Sequence, residues 1–299
     1  MEYLSLNNYL KNEFGCKVYK LAIDGGFTCP NRDGSLGTGG CIFCSGSGSG
    51  EFAVPSNLSV TEQIEAAKER VSSKIKDGKY ITYFQSFTNT YAPVDVLEQK
   101  FSEAINHPDV VAISIGTRPD CLPEDVLDLL FRLNKIKPVW VELGLQTIHE
   151  NTADFIRRGY KLSVYDAAVR ELKSRGIYVV THVILGLPGE TEEMMLDTVR
   201  YVCNFTDGIK LQLLHIIEGT DLARLYVNNN NCTEDIMYGF ECMDMNTYIN
   251  LIYKCIEIIP KNIAIHRMTG DGDKRTLIAP IWSANKRRVL NALNKKLSR

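Results

Sequence analysis

The sequence predicts an α/β fold, a parallel β-sheet covered by helices. Two observations carry that prediction. Strand-like and helix-like segments alternate through six units, and the glycine-rich or polar stretches fall directly after the strand-like ones. A length of 299 residues suits one large α/β domain or two smaller ones.

KVYKLAID (17–24) is the first strand and runs into a long glycine-rich loop. TEQIEAAKERVSSKIKDG (61–78) has helical spacing and ends at Gly78, and YITYFQSF (80–87), rich in β-branched and aromatic residues, is a buried strand. VDVLEQKFSEAINH is a helix before the strand DVVAISIGT (109–117). PEDVLDLLFRLNK opens on a proline suited to a first helical turn and precedes the strand PVWVELGLQT (138–147). SVYDAAVRELKSRG (163–176) is a helix closed by glycine, and IYVVTHVILGLPG (177–189) a strand that ends in a glycine turn. TEEMMLDTVRYVC and GIKLQLLHII supply the last helix and strand. Periodicity does not decide between an open sheet and a barrel. Both bind ligands at the carboxyl ends of their strands, where the cysteine loop, SFTNTYAP, GTRPDC, ELGLQT and LGLPGE all fall.

Composition narrows the class further. Net charge is −2, and no apolar run approaches the ~20 residues of a membrane span. The start, MEYLSLNNYLKNEFG, lacks the basic and apolar regions of a signal peptide, so a cytoplasmic location with reduced thiols is expected. The near-neutral charge neither demands nor excludes a nucleic-acid partner. The basic tail NKRRVLNALNKKLSR is a candidate contact, and equally a soluble helix with cations near its carboxyl end.

Of nine cysteines, Cys16, Cys121, Cys203, Cys232, Cys242 and Cys255 stand singly and read as small apolar residues. Cys121 alone falls at the expected active rim. Cys29, Cys41 and Cys44 share one loop, CPNRDGSLGTGGCIFC. A disulfide suits neither the compartment nor the odd count. Zinc needs a fourth ligand, which His182 or His215 would supply only through the fold, and an iron–sulfur cluster takes three thiolates with one iron left open. Spacing leaves zinc and a cluster both standing. GSGSG (46–50) lacks the lysine of a phosphate loop and reads as the flexible exit of the cysteine loop.

CIFC, with an aromatic before its last cysteine, resembles the cluster motif of radical S-adenosylmethionine (SAM) enzymes. Eleven residues separate Cys29 from Cys41 where the usual family loop has three, and that longer spacing resembles the catalytic subunit of Elongator and its bacterial relatives. FTCPNRDG, YFQSFTNTYAP, GTRPDCL, VELGLQT, RRGY, LGLPGET, LLHIIEGTDLARLY and IHRMTGD occur in the order found in the YhcC-like group of radical SAM proteins. The resemblance runs from about residue 15 to the carboxyl end.

The resemblance implies a partial (β/α)6 TIM-type barrel with a short C-terminal extension. Residues 1–220 would form the radical SAM core with its cluster loop at 25–50, and residues 221–299 an extension closing the barrel mouth. It implies a [4Fe–4S] cluster on Cys29, Cys41 and Cys44, whose open iron binds SAM and cleaves it reductively to a 5′-deoxyadenosyl radical. Phe43 would lie against the adenine, or else tuck into the core. Gln85 and Ser86 would meet the methionine amino group, although the acidic residue often found there is missing. Glu142 and Gln146 would meet the ribose if the pleat continues between them, or form a structural buried pair. Arg157 and Arg158 would reach the methionine carboxylate, or be solvated. Gly186 and Leu187, in LGLPGE, would bring backbone close to the ligand.

The Elongator likeness points to the wobble uridine of tRNA and to conversion of carboxymethylaminomethyl-uridine to aminomethyl-uridine. About forty residues after 260 are too few for Elongator's acetyltransferase domain, so acetyl-CoA chemistry is not expected. His266, Arg267, Asp271, Lys274 and Arg275, in IHRMTGDGDKRT (265–276), are candidate substrate contacts or a charged surface loop. A flavodoxin or ferredoxin would supply electrons. The alternatives are a radical SAM enzyme acting on a small molecule or peptide, and a non-enzymatic zinc protein.

Overall fold

A computed structural model describes residues 2–48, 50, 53–75, 78–231, 240–270, 272 and 274–298. Its elements run α1 (Leu6–Phe14), β1 (Val18–Ile23), α2 (Val60–Val71), β2 (Lys79–Phe84), α3 (Val94–Asn106), β3 (Val110–Thr117), α4 (Glu124–Asn134), β4 (Val139–Gln146) and α5 (Glu150–Phe155). They continue with α6 (Leu162–Ser174), β5 (Tyr178–Leu185), α7 (Glu192–Val202), β6 (Gly208–Leu213), β7 (Ile216–Ile217), α8 (Asp221–Asn231), α9 (Met245–Ile258), β8 (Ala264–Arg267), β9 (Leu277–Ala279) and α10 (Lys286–Leu297).

Seven strands form one parallel sheet in the order β1-β2-β3-β4-β5-β6-β8. The sheet curls into a half-barrel, the partial TIM-type barrel expected. A side-chain contact proves the curl: Lys210 on β6 donates to the Tyr83 hydroxyl on β2 at 3.3 Å. Four strand spacings of about 4.8 Å would hold those strands roughly 19 Å apart in a flat sheet. The convex face, including Leu21, Ile23, Phe84, Ile113, Ile115, Val141 and Val179, packs with the helices into the main core. α1 covers the amino end of the concave face. It is capped by Ser5, whose side chain accepts from the Asn8 N–H, and ended by Gly15 at φ 66°. Its Tyr9 ring lies 5.8 Å from Trp140 and 5.2 Å from Tyr178.

The sheet carries one strand beyond the six units of the sequence pattern. Residues 265–276 were expected as a single loop, but β8 occupies its start, parallel to β6, with the Ile265 N–H donating to Leu4 C=O on its other edge. Ala-Ile-His-Arg is too short to show a period and owes its strand form to pairing on both sides. GIKLQLLHII likewise divides, because β7 leaves the main sheet to pair antiparallel with β9.

Phe101 on α3 is fully buried and meets Phe84 edge-on at 4.9 Å. Phe101→Ala is expected to cost about 3–5 kcal/mol of stability, read as a lowered urea midpoint. A shift equivalent to under about 1 kcal/mol would show that the α3–sheet contact is not a packed core.

Candidate active site at the carboxyl edge of the half-barrel

The loop between β1 and α2 is held by its own backbone and by one arginine. Cys29 C=O accepts from the N–H groups of Arg32 (2.8 Å) and Asp33 (3.1 Å), and the Cys44 N–H donates to Cys41 C=O at 3.0 Å. Arg32 reaches across the loop to the carbonyls of Cys44 (2.8 Å) and Ser45 (2.7 Å). Gly40, at φ +72°, makes room for it, since a Cβ there would lie 2.9 Å from Arg32 Nε. Ile42 bonds through its backbone to Ile156 and to Leu222, fixing the loop between α5 and α8.

A second set of buried groups ties the cysteines to the sheet. Asn31 Nδ2 lies 3.5 Å from Cys41 Sγ and donates to Arg157 C=O at 2.8 Å. Arg118, after β3, pairs in a fork with Asp120 and donates to Arg158 C=O at 2.9 Å. The guanidinium groups of Arg118 and Arg158 both face the Tyr160 ring, 5.0 and 4.8 Å from its centroid. Burial, with the Cys44 thiol adding, pushes the Cys41 thiol up to about 11, while Asn31 and Arg118 oppose the rise. The pocket by itself therefore keeps Cys41 a thiol at neutral pH, whereas metal coordination deprotonates a coordinating thiol outright.

The spacing of the three thiols bears on which metal group they fit. Among the described residues, the group of three or more metal-ligating side chains with donor atoms within 4.8 Å of one another is Glu65, His107 and Asp109, near the amino end of the sheet. Three thiolates around one zinc at ~2.3 Å would lie about 3.8 Å apart. The thiols of Cys29, Cys41 and Cys44 do not all lie within 4.8 Å of one another, looser than a single zinc ion requires and compatible with a cluster of several irons, and the Asn31 amide is directed at Cys41 Sγ. Neither histidine completes a zinc set: His182 bonds to Glu142 inside the barrel, and His215 packs against the backbone at Gly270 and Gly272.

Around this loop the backbone is strained. The described non-glycine residues with positive φ are Ser86 and Phe87 just beyond β2, Gln146 at the end of β4, and Arg157 in the turn after α5. Each costs on the order of 1–3 kcal/mol, and such conformations gather at ligand sites. Ser86 is buried, and its hydroxyl has no hydrogen-bond partner among the described residues. Gln85 donates its N–H to Ile23 C=O at 3.2 Å. Phe43 packs half-buried against the small apolar cluster of Ile42, Ile184 and Leu187. Gly186 at φ +90° donates its N–H to Met195 Sδ at 3.0 Å, and Leu187 is buried.

Several expected contacts lie elsewhere. A bulge between Gly144 and Gln146 interrupts the pleat, and the Gln146 amide reaches its place by folding back over Gly144, where a Cβ would lie 2.8 Å from its Nε2. Arg158 is 1% exposed and spends its donors on protein: Tyr160 C=O, Thr147 C=O, Leu145 C=O and the Glu150 carboxylate. Arg157 pairs with Asp221. His266 and Arg267 belong to β8, with the His266 ring 5.5 Å from Trp140, deep in the barrel and apart from the exposed Lys274 and Arg275. Asp271 and Cys232 lie outside the described residues. Cys121 is buried beside Asp120, and burial with that charge pushes its thiol up to about 12, so it is a poor nucleophile. It lines an apolar groove of about 940 Å³ between the cysteine loop, α4 and α6.

Sequence reasoning named Glu142 and His182 but missed the network they form in the barrel interior. Glu142 is fully buried there and accepts from Lys20 (2.5 Å), Ser114 (2.6 Å) and His182 Nε2 (2.7 Å), with Lys210 completing the set. Burial would raise the Glu142 carboxyl, but Lys20, Lys210 and His182 outweigh it and hold it well below the usual carboxylate range. Burial, aided by Lys210, pushes His182 down to about 4 against the pull of Glu142. The signal was in the strands themselves: Lys20 in VYKLAI and Lys210 in GIKLQL are charges within apolar runs.

A curled parallel half-barrel with three thiols on the loop after its first strand defines the radical SAM class of enzymes. The chain belongs to that superfamily: it matches the radical SAM superfamily over residues 31–202 and the radical SAM C-terminal domain over residues 206–299. Enzymes of this family use a [4Fe–4S] cluster and SAM, and they need a reductant. The chain is 47% identical to Bacillus subtilis YtqA over 99% of its own length and 89% of the relative's. It is 37% identical to Escherichia coli YhcC, covering 93% and 86%. A tRNA uridine(34) acetyltransferase of Methanocaldococcus jannaschii is 33% identical over 43% of this chain and 24% of that one. The fold matches the archaeal Methanocaldococcus infernus Elp3 with a TM-score of 0.68 at 19% identity, covering 94% of this chain and 64% of that one. Among the described residues no helix is long and apolar enough to cross a membrane.

His182 makes a pH prediction. Below pH 6.5 the unfolded chain takes up a proton that the folded chain refuses until about pH 4, so stability falls as pH drops through that window. His182→Gln, which keeps an N–H for Glu142, is expected to flatten the slope of denaturation midpoint against pH there. His266, also lowered by burial, leaves a residual slope. An unchanged slope would place the proton-linked group elsewhere.

Proposed function

We propose that this radical SAM enzyme modifies the wobble uridine of tRNA, converting carboxymethylaminomethyl-uridine to aminomethyl-uridine, with Cys29, Cys41 and Cys44 as ligands of its [4Fe–4S] cluster. The observation that carries the cluster assignment is the loop itself: three thiols on one loop at the carboxyl edge of the half-barrel, not all within 4.8 Å of one another, with the Asn31 amide directed at Cys41 Sγ. The tRNA assignment draws support from partial identity to a tRNA uridine(34) acetyltransferase.

When bound, the cluster and SAM supply a radical able to abstract hydrogen from an unactivated carbon. The protein's residues hold and shield that chemistry. Arg32, Asn31 and the Arg118–Tyr160–Arg158 stack fix the cysteine loop against the sheet. Ser86, whose buried hydroxyl on a strained turn has no partner among the described residues, offers a polar contact to the methionine end of SAM, and Gln85 lies beside it. Phe43 offers its ring to the adenine and Gln146 its amide to the ribose. The backbone at Gly186 and Leu187 forms the facing wall. Arg158 serves this site by positioning the cysteine loop. A flavodoxin or ferredoxin is the electron donor in this reading, and residues 221–299 supply the cover of the mouth. The exposed Arg287, Arg288 and Lys295 of α10, with Lys274 and Arg275, are cations suited to RNA phosphates.

Two measurements test this. Cys41→Ala is expected to lose most of the iron and sulfide of the anaerobically reconstituted protein, and full retention would move the cluster elsewhere. Nucleoside mass spectrometry of tRNA from cells lacking the gene should show carboxymethylaminomethyl-uridine accumulating at the expense of the aminomethyl form. Identical wobble-uridine profiles with and without the gene would sink the substrate assignment and favour a small-molecule or peptide substrate.

A further inference from the structure

Interiors of TIM-type barrels are ordinarily filled with branched apolar side chains. Here six strands turn a polar or charged side chain inward around one carboxylate: Lys20, Tyr83, Ser114, Glu142, His182 and Lys210. Two lysines meet one carboxylate, so the layer has more ammonium groups than carboxylates to pair them. Stability does not call for such a layer, because well-packed apolar residues of similar volume do as well or better than a buried ion-pair network. Nor is the layer sealed. The Lys20 and His182 side chains each keep 18% exposure, while Tyr9, Trp140 and Tyr178 stack beneath them at the amino end. The layer thus meets solvent through Lys20 and His182, with Lys210 at 6% exposure beside them, and forms the floor of the half-barrel interior.

We propose that this floor is an anion subsite in which Lys210 and Lys20 hold the carboxylate of the substrate. The proposal rests on the tRNA reading above and deepens it, since a carboxymethylamino substituent carries one carboxylate for the two lysines to hold. Glu142 orients the two ammonium groups, and Ser114 and His182 orient Glu142. Lys210 is poised for such a partner. Burial, with Lys20 and Arg267 adding, pushes its ammonium down to about 7 against the pull of Glu142, and a second carboxylate would favour the charged form. A carboxylate bound on this floor leaves the attached nucleoside to extend toward the edge where Cys29, Cys41 and Cys44 lie.

The test measures binding of two anticodon stem-loops to the reconstituted enzyme with SAM, one carrying the carboxymethylamino group and one its carboxamide. Wild type is expected to prefer the acid by roughly 10–100-fold, the range of a charge-assisted pair inside a protein. Lys210→Met and Lys20→Met should each bring that preference to within about threefold, while Lys210→Arg keeps it, separating lost charge from a collapsed barrel. A wild type without preference, or a preference surviving in both methionine variants, overturns the subsite. So does a loss of SAM affinity in Lys210→Met with the preference intact, because the carboxylate held would then be that of SAM. The same proteins titrated with N-benzylglycine and its amide separate this proposal from the RNA reading. If no stem-loop binds but the small acid is preferred and Lys210→Met abolishes that preference, the subsite stands and the tRNA assignment falls. If wild type does not distinguish the small acid from its amide, the subsite falls whatever the RNA does.

Discussion

The carboxylate of Glu142 is the point on which the half-barrel closes. It sits at 0% exposure on the central strand β4 and takes partners from β1, β3, β5 and β6, so one side chain gathers five of the seven strands. An unpaired carboxylate at this depth would cost several kcal/mol or take up a proton. With Lys20, Lys210, Ser114 and His182 in place the carboxylate is paired within the curl, and removing one partner alone would leave an uncompensated charge that opposes it. The curl in turn brings the loops after successive strands to one edge. Gly208 belongs to the same constraint, since a Cβ there would lie 2.6 Å from His266 Nε2 and push that ring from its place beside Trp140.

The cysteine edge is built on a different principle. Its loop has little core of its own and is fixed by polar contacts: Arg32 across its carbonyls, Asn31 under Arg157, and Arg118 against Arg158 and Tyr160. Strain collects at the same edge, in Ser86, Phe87, Gln146 and Arg157. A rigid charged interior below and a strained, polar-bonded rim above is a division suited to an enzyme that must hold a reactive species without reacting with it.

The β/α alternation and the cysteine loop were legible from sequence because each has a local signature, period two against 3.6 for the elements and close cysteine spacing for the loop. The seventh strand was not, since four residues carry no period and β8 exists through its partners. Glu142 was singled out, but for a ligand role shared with Gln146 that needs an unbroken pleat, and the bulge at Gly144 breaks it. Arg158 was chosen for its charge, though only the fold shows its guanidinium buried and bonded to Tyr160, Thr147 and Glu150. Lys20 and Lys210 were the clearest missed signal. A lysine at an interior position of a buried parallel strand has no solvent to reach, so it implies a buried partner, and Glu142 was the acidic residue in the matching strand run.

The proposed function stands or falls on reductive SAM cleavage coupled to a substrate in tRNA. The most direct measurement is anaerobic: reconstituted protein, SAM and dithionite, with 5′-deoxyadenosine quantified in the presence and absence of tRNA from cells lacking the gene. The account predicts product that rises sharply with that tRNA and not with tRNA from cells that retain the gene. A full iron and sulfide complement with no 5′-deoxyadenosine under any of these conditions would contradict it.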